Sequence, residues 1–326
     1  MVETVRRANF SLRARPRGSL FSRPGGKAER SAHPLIAVIP LTKPSGILAG
    51  ICLTILSGLS LASMDTVGKF LTGSLPVMEI VWARYFFHTL AMVSWLAPTT
   101  GMRFLRTKRP GLQLLRGGTL LIGTLLMYTA FSKIPLADAT AVQFFAPVLV
   151  TVLSVIFLGE RLGVHRVAAV LVGFAGVLMI VQPGFSDTDP YLLLPLGAAA
   201  ILSVYFLLTR TLSGADDAAS TLFNTTAVGA LVLTLVVPFV WEWPTPGEFG
   251  LMVLVGLLGA IGHFCLVQGF SHASASVLSP FLYSQVLFAS VFSLVLLGDP
   301  LRPSLIAGAA LLVASGLYIW WRENRR

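Results

Sequence analysis

Charged residues are scarce in this chain, and their scarcity excludes most soluble proteins. Asp, Glu, Lys and Arg make up 12% of the residues and hydrophobic residues 55%, whereas about 25% of a soluble domain is charged. The chain also has only two cysteines, Cys52 and Cys265, both within apolar stretches. They indicate neither a disulfide framework nor a metal site. This composition is typical of a membrane protein.

The sequence motifs of common enzyme classes are also missing. The chain has no Gly-rich phosphate loop, which would indicate nucleotide binding. It also has no His-Glu-x-x-His and no cluster of carboxylates, which would indicate a metal-dependent hydrolase. His263 and His272 lie near serines, but nothing specifies the positioned base and oxyanion site that a serine nucleophile requires. We therefore expect no enzymatic activity, no metal and no cofactor.

Long uncharged stretches predict membrane-spanning helices. Residues 249–298 contain no Asp, Glu, Lys or Arg, and because about 20 apolar residues cross the hydrocarbon core, they predict two crossings. Comparable stretches recur at 44–64, 85–102, 117–132, 139–159, 167–186, 190–209, 218–241 and 303–321. The sequence predicts an all-α integral membrane protein with ten transmembrane helices.

The first 43 residues form a basic tail outside the predicted helices. They contain nine basic and two acidic residues and supply seven of the ten net positive charges. High charge with low hydrophobicity predicts a disordered cytoplasmic tail that contacts anionic lipid. The alternatives are a cleaved transit peptide and a start codon assigned too far upstream. We expect no nucleic-acid binding, because no aromatic residues are interleaved with the basic ones.

The distribution of Lys and Arg between the loops predicts the orientation. Basic residues occur at 103–116, at 161–166 and at the C-terminus, whereas the loops at 184–190 and 242–248 have none. Because basic loops stay in the cytoplasm, both termini are predicted to be cytoplasmic in a bacterial inner (plasma) membrane.

An internal repeat divides the chain into two halves. When the chain is shifted along itself so that Phe131 meets Phe270, the Leu-Gly-Glu sequence at 158–160 meets Leu-Gly-Asp at 297–299. Five helices are an odd number, so the predicted copies at 44–186 and 187–326 cross the membrane in opposite senses. Such inverted repeats place a transporter's binding site near the midplane, between the halves.

These features resemble the EamA-type members of the drug/metabolite transporter superfamily. The resemblance covers roughly residues 45–322 and rests on 64–69 (Met-Asp-Thr-Val-Gly-Lys), 76–84, 141–162, Gly173, Gly176 and Val177. It implies alternating-access transport of a small organic metabolite without a prosthetic group. The second copy departs from the pattern, with Val286 at the place of Pro147 and Asp299-Pro300 at that of Glu160-Arg161.

Ionisable residues within the predicted helices are the first candidates for substrate binding. A charge in the apolar region is costly unless it pairs or faces water, and the second helix contains Glu79, Arg84 and His88. Arg84 and His88 share one helix face, whereas Glu79 lies about 140° away around the helix. Arg84 with His88 is the favoured cluster. The alternative is that Arg84 ties its helix to a neighbour.

Uncharged polar and aromatic residues within the helices are further candidates, because each needs a partner away from water. They are Trp82, Tyr128, Gln143, Tyr205, Asn224, His263, Tyr283 and Gln285. Bonds between helices would satisfy each as well as a ligand, but together they suit a cavity for an organic solute. Asp65 and Lys69, four residues apart, are expected to form a structural ion pair, and Lys133 and Asp138 also have structural roles.

The sequence thus predicts a transporter whose partners are a small-molecule substrate and the lipid bilayer, with a homodimer left open. The alternatives are a lipid or glycan-carrier translocase and a non-transporting membrane scaffold. His88 and His263 can change charge near neutral pH, but few acids lie deep in the predicted helices. We therefore expect facilitated diffusion or exchange rather than proton coupling.

Overall fold

The computed structural model describes residues 46–158, 164–182, 189–212, 216, 218–273 and 275–323. The basic tail and the predicted turn at 159–162 lie outside these ranges. Every regular element within them is a helix, which confirms the predicted all-α class for the described part of the chain.

Twelve α-helices follow one another within these ranges. They are α1 (Gly46–Leu71), α2 (Val77–Thr100), α3 (Pro110–Phe131), α4 (Leu136–Gln143), α5 (Ala146–Leu158), α6 (Val164–Val181), α7 (Leu193–Leu212), α8 (Ala218–Val236), α9 (Pro246–His272), α10 (Ala275–Leu282), α11 (Ser284–Val295) and α12 (Pro303–Glu323). Short 3₁₀ segments at Gly101–Leu105, Pro190–Leu192 and Val237–Phe239 cap or extend them.

Among the described residues, six helical stretches are long and apolar enough to cross a membrane. They are Gly46–Leu71, Pro110–Phe131, Pro190–Thr209, Ala219–Phe239, Pro246–His272 and Pro303–Arg322. Large apolar side chains on the helices are exposed, for example Phe157 and Leu235 at 68% each, as expected of residues that face lipid rather than water. The protein is therefore a multi-pass membrane protein. The remaining predicted crossings correspond to α2, which is more polar, and to shorter apolar helices.

Two of the predicted crossings are broken. The stretch at 139–159 contains the end of α4 and the start of α5, and Tyr283 separates α10 from α11. Pro147 lies at the start of α5, where it lacks the N–H that would continue the helical ladder back to Gln143. The second break occurs although Val286 stands at the place of that proline, and Pro280 lies inside α10 instead.

The helix boundaries follow the repeat found in the sequence. Helix α4 ends at residue 143 and α10 at residue 282, each at one of the two helix breaks. The interval between these two ends equals the interval from Phe131 to Phe270.

Helices from the two predicted copies pack against each other: α1 against α9 and α11, α3 against α7 and α8, and α6 against α12. Glycine permits the closest of these approaches. A Cβ at Gly176 of α6 would lie 2.7 Å from the carbonyl oxygen of Gly308 in α12. Small residues of this kind let helix backbones meet in a membrane, so the packing centre of the molecule lies between the two copies.

Candidate functional site

Arg84 projects from α2 into a polar region between α1 and α3. Its Cζ atom lies 5.5 Å from the centre of the Tyr128 ring, and its charge interacts with that of Asp65 on α1. Nevertheless, no Arg84 nitrogen comes within 4.0 Å of a carboxylate oxygen in the described part of the chain. Arg84 as a whole is partly buried, and its guanidinium group has no ion pair to any described residue.

Tyr128 forms one wall of this region because α1 has a glycine opposite its ring. A Cβ at Gly68 would lie 2.6 Å from the Tyr128 Cε1 atom, so a larger residue would displace the ring. Tyr128 is fully buried, and its hydroxyl approaches Arg84 without reaching hydrogen-bonding geometry with any described residue. An unpaired buried hydroxyl costs about 1–3 kcal/mol, which a ligand could recover.

Asp65 does not form the ion pair with Lys69 that the spacing predicts. The buried Asp65 carboxylate accepts a hydrogen bond of 3.3 Å from the Gln285 amide of α11. Lys69 instead donates to the carbonyl oxygens of Phe131 and Ile134. These carbonyls at the C-terminal end of α3 lack helical partners, so the ammonium group finds neutral acceptors there and Asp65 remains beside Arg84.

His88 lies one turn beyond Arg84 on α2 and is buried. Its ring centre is 5.3 Å from that of His263 on α9, and Gly259 of α9 allows this approach, since a Cβ there would lie 3.2 Å from Nδ1 of His88. The structure thus brings together Arg84, His88, His263, Tyr128 and Gln285 among the predicted site residues.

Tyr85 is a neighbour of this cluster that the sequence analysis did not select. Its hydroxyl shares a hydrogen bond of 3.0 Å with Thr124 on α3, and its ring lies against Gly229 of α8. Tyr85 follows Arg84 directly on α2, and in the sequence it resembles any other aromatic residue of an apolar helix.

Another arginine within the helices, Arg116 on α3, is buried and donates four hydrogen bonds. It donates to the Thr209 hydroxyl at 2.7 Å, the Tyr205 hydroxyl at 2.8 Å, the Thr221 carbonyl at 3.1 Å and the Gln113 side chain at 3.2 Å. Tyr205 is therefore a partner of Arg116. The sequence analysis counted Arg116 only as a loop charge, because three of the four groups that bind it lie far away along the chain.

Trp82 and Glu79 lie near the start of α2, away from the Arg84 cluster. The Trp82 ring stacks on Phe86 with centres 4.9 Å apart, and its N–H donates to Thr234 at 3.0 Å. Glu79 accepts a hydrogen bond of 3.1 Å from the main-chain N–H of Glu242. Both residues thus join α2 to the end of α8 and the loop that follows it.

The remaining candidates occupy separate places. The Asn224 side chain donates to the Ser220 carbonyl at 2.9 Å, within its own helix. Gln143 is the last residue of α4, and Tyr283 lies at the break between α10 and α11. A narrow apolar gap between the two helix breaks is lined by Phe144, Tyr283, Val286 and Leu312, among others.

A third polar group, which we call the α4–α11 clasp, joins the start of α4 to the end of α11 and the loop before α12. Arg302 forms an ion pair of 3.0 Å with Asp138. Ser293 accepts a hydrogen bond of 3.3 Å from the N–H of Ala137 and donates one of 2.9 Å to Asp299. Asp138 thus has the structural role predicted from the sequence, with a partner that the spacing did not reveal.

Comparison with known proteins identifies relatives that carry metabolites. The chain is 26% identical over 276 residues to an S-adenosylmethionine uptake transporter of Rickettsia bellii, covering 85% of this chain and 94% of the relative. It is 28% identical over 272 residues to a pseudopaline exporter of Pseudomonas aeruginosa, covering 82% and 94%. A riboflavin transporter of Rhizobium johnstonii is 27% identical over 292 residues, covering 87% and 95%.

One solved structure shares the fold, with a TM-score of 0.59 and 21% identity over 86% of this chain and 98% of its own length. Residues 48–182 and 190–321 each match the EamA-like transporter family. These two matches together cover most of the chain, and the named relatives are transporters rather than enzymes. The chain belongs to the EamA-like transporter family.

Proposed function

We propose that this protein transports a small organic metabolite by alternating access through a central site at Arg84. The observation that carries the proposal is that the Arg84 side chain lacks an ion pair among the described residues. Arg84 is a cation among membrane helices that has no ion pair in the described part of the chain and lies beside the unpaired hydroxyl of Tyr128.

The contrast with Arg116 argues against a purely structural role for Arg84. Arg116 is the case in which an arginine ties helices together, because it donates to four protein groups at 2.7–3.2 Å. Arg84 lies on a neighbouring helix but has none of these bonds among the described residues. Because a charge in the apolar region is costly unless it is paired, we assign the missing partner to the substrate.

The proposed architecture is ten membrane crossings in two inverted copies. In this count α4 with α5 and α10 with α11 are each one broken crossing. The shared shift in helix boundaries and the two family matches support it. Broken helices are frequent at the binding sites of transporters built from inverted repeats. From the basic loops we propose that both termini lie in the cytoplasm and that the membrane is a bacterial inner membrane.

The α4–α11 clasp fits the closed side of such a transporter. It connects the first copy, through Asp138, to the second copy, through Arg302 and Ser293. The predicted orientation puts this end of the molecule outside the cell. Alternating access requires contacts of this kind to break when the site opens to that side. With no nucleotide motif in the sequence, we propose that the solute moves by facilitated diffusion or exchange.

Uptake into proteoliposomes tests the proposal. S-adenosylmethionine and riboflavin are the first solutes to try, because transporters of both are relatives. We expect uptake of at least one solute, and Arg84→Ala should reduce it to background, whereas Arg103→Ala, which changes an exposed arginine, should not. Full uptake by a folded Arg84→Ala protein would remove Arg84 from the site. Movement of a labelled lipid without solute uptake would indicate a translocase.

A further inference from the structure

We infer that the central site recognises a zwitterion, the ammonium and carboxylate groups of an α-amino acid, with Arg84 holding the carboxylate and Asp65 the ammonium group. This inference rests on the proposed function, because the site is the same one. It gives Asp65 a role in binding in place of the structural role expected from its spacing to Lys69.

The first support is the separation of two opposite charges. Asp65 of α1 and Arg84 of α2 interact electrostatically, yet their charged atoms do not come within 4.0 Å of each other. Away from water, opposite charges gain most by direct contact. Here Asp65 is turned toward Gln285 of α11 by a hydrogen bond of 3.3 Å, and Arg84 is turned toward the Tyr128 ring of α3. The two charges are thus held apart on different helices.

The second support is the unused hydrogen-bonding capacity of the two charged groups. The Arg84 guanidinium presents donors suited to a carboxylate, and the Tyr128 hydroxyl, also without a partner among the described residues, can add another. On the opposite side, the Asp65 carboxylate accepts one hydrogen bond from a described side chain, although a carboxylate has about four acceptor positions. An ammonium group with three donors matches this capacity.

Charge balance favours a zwitterion over an ion of one sign. A lone anion that approaches Arg84 also approaches the negative Asp65, and a lone cation at Asp65 meets the positive Arg84. A ligand that carries both charges on groups attached to one carbon atom gains both attractions and adds no net charge to the site. Tyr128 and Tyr85 provide buried aromatic surface beside Arg84, which suits the remainder of an organic solute.

A comparison of analogues tests the inference in the unmodified protein. Binding to the full chain in nanodiscs would be measured for S-adenosyl-L-methionine, for its analogue without the carboxylate, and for its analogue without the amino group. The common L-amino acids would be measured alongside. We expect the complete zwitterion to bind about tenfold or more tightly than either analogue, since each loses a charge-assisted hydrogen bond.

Two substitutions then test which residue binds the carboxylate and which binds the ammonium group of the ligand. Arg84→Gln should abolish the preference for S-adenosyl-L-methionine over the analogue without the carboxylate. Asp65→Asn should abolish the preference for S-adenosyl-L-methionine over the analogue without the amino group. Asn keeps the size of Asp65 and can still accept from Gln285. Arg103→Gln and Glu242→Gln, which change exposed residues, are matched controls and should keep both preferences.

The outcomes separate this inference from the proposed function. Equal binding of the three compounds, or unchanged preferences in both site variants, would overturn the zwitterion assignment. Uptake of riboflavin with no binding of any zwitterion would also overturn it, while the transport function would stand. No uptake of any solute by folded protein would contradict the transport function itself.

Discussion

Phe144 and Tyr283, which occupy corresponding positions of the two sequence copies, contact each other in the structure with ring centres 5.7 Å apart. Each lies at a break between two helices, Phe144 between α4 and α5 and Tyr283 between α10 and α11. Equivalent residues of the two copies therefore meet where the copies pack together. The Tyr283 ring also packs against Gly316 of α12.

This packing predicts that Gly316→Ala destabilises the protein. A Cβ there would overlap the Tyr283 hydroxyl and lie 2.5 Å from Cζ. Overpacking costs about 1–3 kcal/mol, more than the roughly 1 kcal/mol that alanine gains over glycine in a helix. Thermal unfolding in detergent measures the effect. Tyr283→Phe in the same protein removes the nearest atom and should restore part of the loss. Gly118→Ala, which meets nothing within 4 Å, is the control and should not destabilise.

The two interior arginines should differ in what their removal costs. Arg116→Gln breaks several charge-assisted hydrogen bonds, each contributing about 1.5–3 kcal/mol. The free energy of unfolding should therefore fall by about 3 kcal/mol or more. Arg84→Gln breaks none among described residues and should change stability by less than about 1 kcal/mol, while uptake is lost. Arg84→Lys should recover little uptake, because an ammonium group cannot replace the planar guanidinium fork. Equal destabilisation by the two Gln variants would contradict the distinction.

Locking the α4–α11 clasp should stop transport. The main-chain nitrogen of Ala137 is 3.3 Å from the Ser293 hydroxyl oxygen, a proximity compatible with a disulfide between the two positions. Cysteines at both positions, with Cys52→Ser and Cys265→Ala, should cross-link under mild oxidation and reduce uptake to background. A reductant should restore it, and each single-cysteine protein should be insensitive to oxidant. Unimpaired uptake in the cross-linked protein would show that this end need not open.

Asp216, in the loop between α7 and α8, should make stability depend on pH in the acid range. Burial tends to raise its pKa, but hydrogen bonds from Thr107, Lys108 and Gln113 together lower the pKa below the ordinary value of 3.8. A carboxylate with a depressed pKa stabilises the folded protein at pH values above its ordinary pKa. This contribution is lost as the pH falls through the pKa of the folded state.

The comparison of the native protein with Asp216→Asn measures this contribution. The variant should unfold at a lower temperature at pH 7, and the difference should shrink as the pH is lowered below about 4. The contribution is modest because Asp216 is only partly buried and solvent screens its charge. A difference that is constant from pH 7 to pH 3 would mean that the charge of Asp216 contributes nothing.

The predicted orientation can be read from reporters. A reporter fused after Arg326 should be cytoplasmic, and one inserted in the loop at 242–248 should be external, because the loops with an excess of Lys and Arg are expected inside. Reversal at both positions would overturn the orientation, and with it the assignment of the α4–α11 clasp to the outer side.

Several features of this protein follow from its sequence alone. Long stretches without charge lie where the helices form, since apolar length and hydrogen bonding within each segment decide a membrane helix locally. The shift that aligns Phe131 with Phe270 also relates the end of α4 to the end of α10. The resemblance to the EamA-type transporters agrees with the family matches, because it rests on motifs that are contiguous in the chain.

The partner of each buried polar group was decided only by the tertiary structure. Spacing along α1 predicts that Asp65 pairs with Lys69. In the structure Asp65 accepts a hydrogen bond from Gln285, far along the chain on α11, and Lys69 donates to a carbonyl oxygen at the end of α3. Arg116 follows a basic loop in the sequence, and only helix packing gives it three of its four acceptors. A hydrogen bond needs its two groups within about 3 Å, and which helices bring groups that close depends on the packing of glycines such as Gly68 against partners far along the chain.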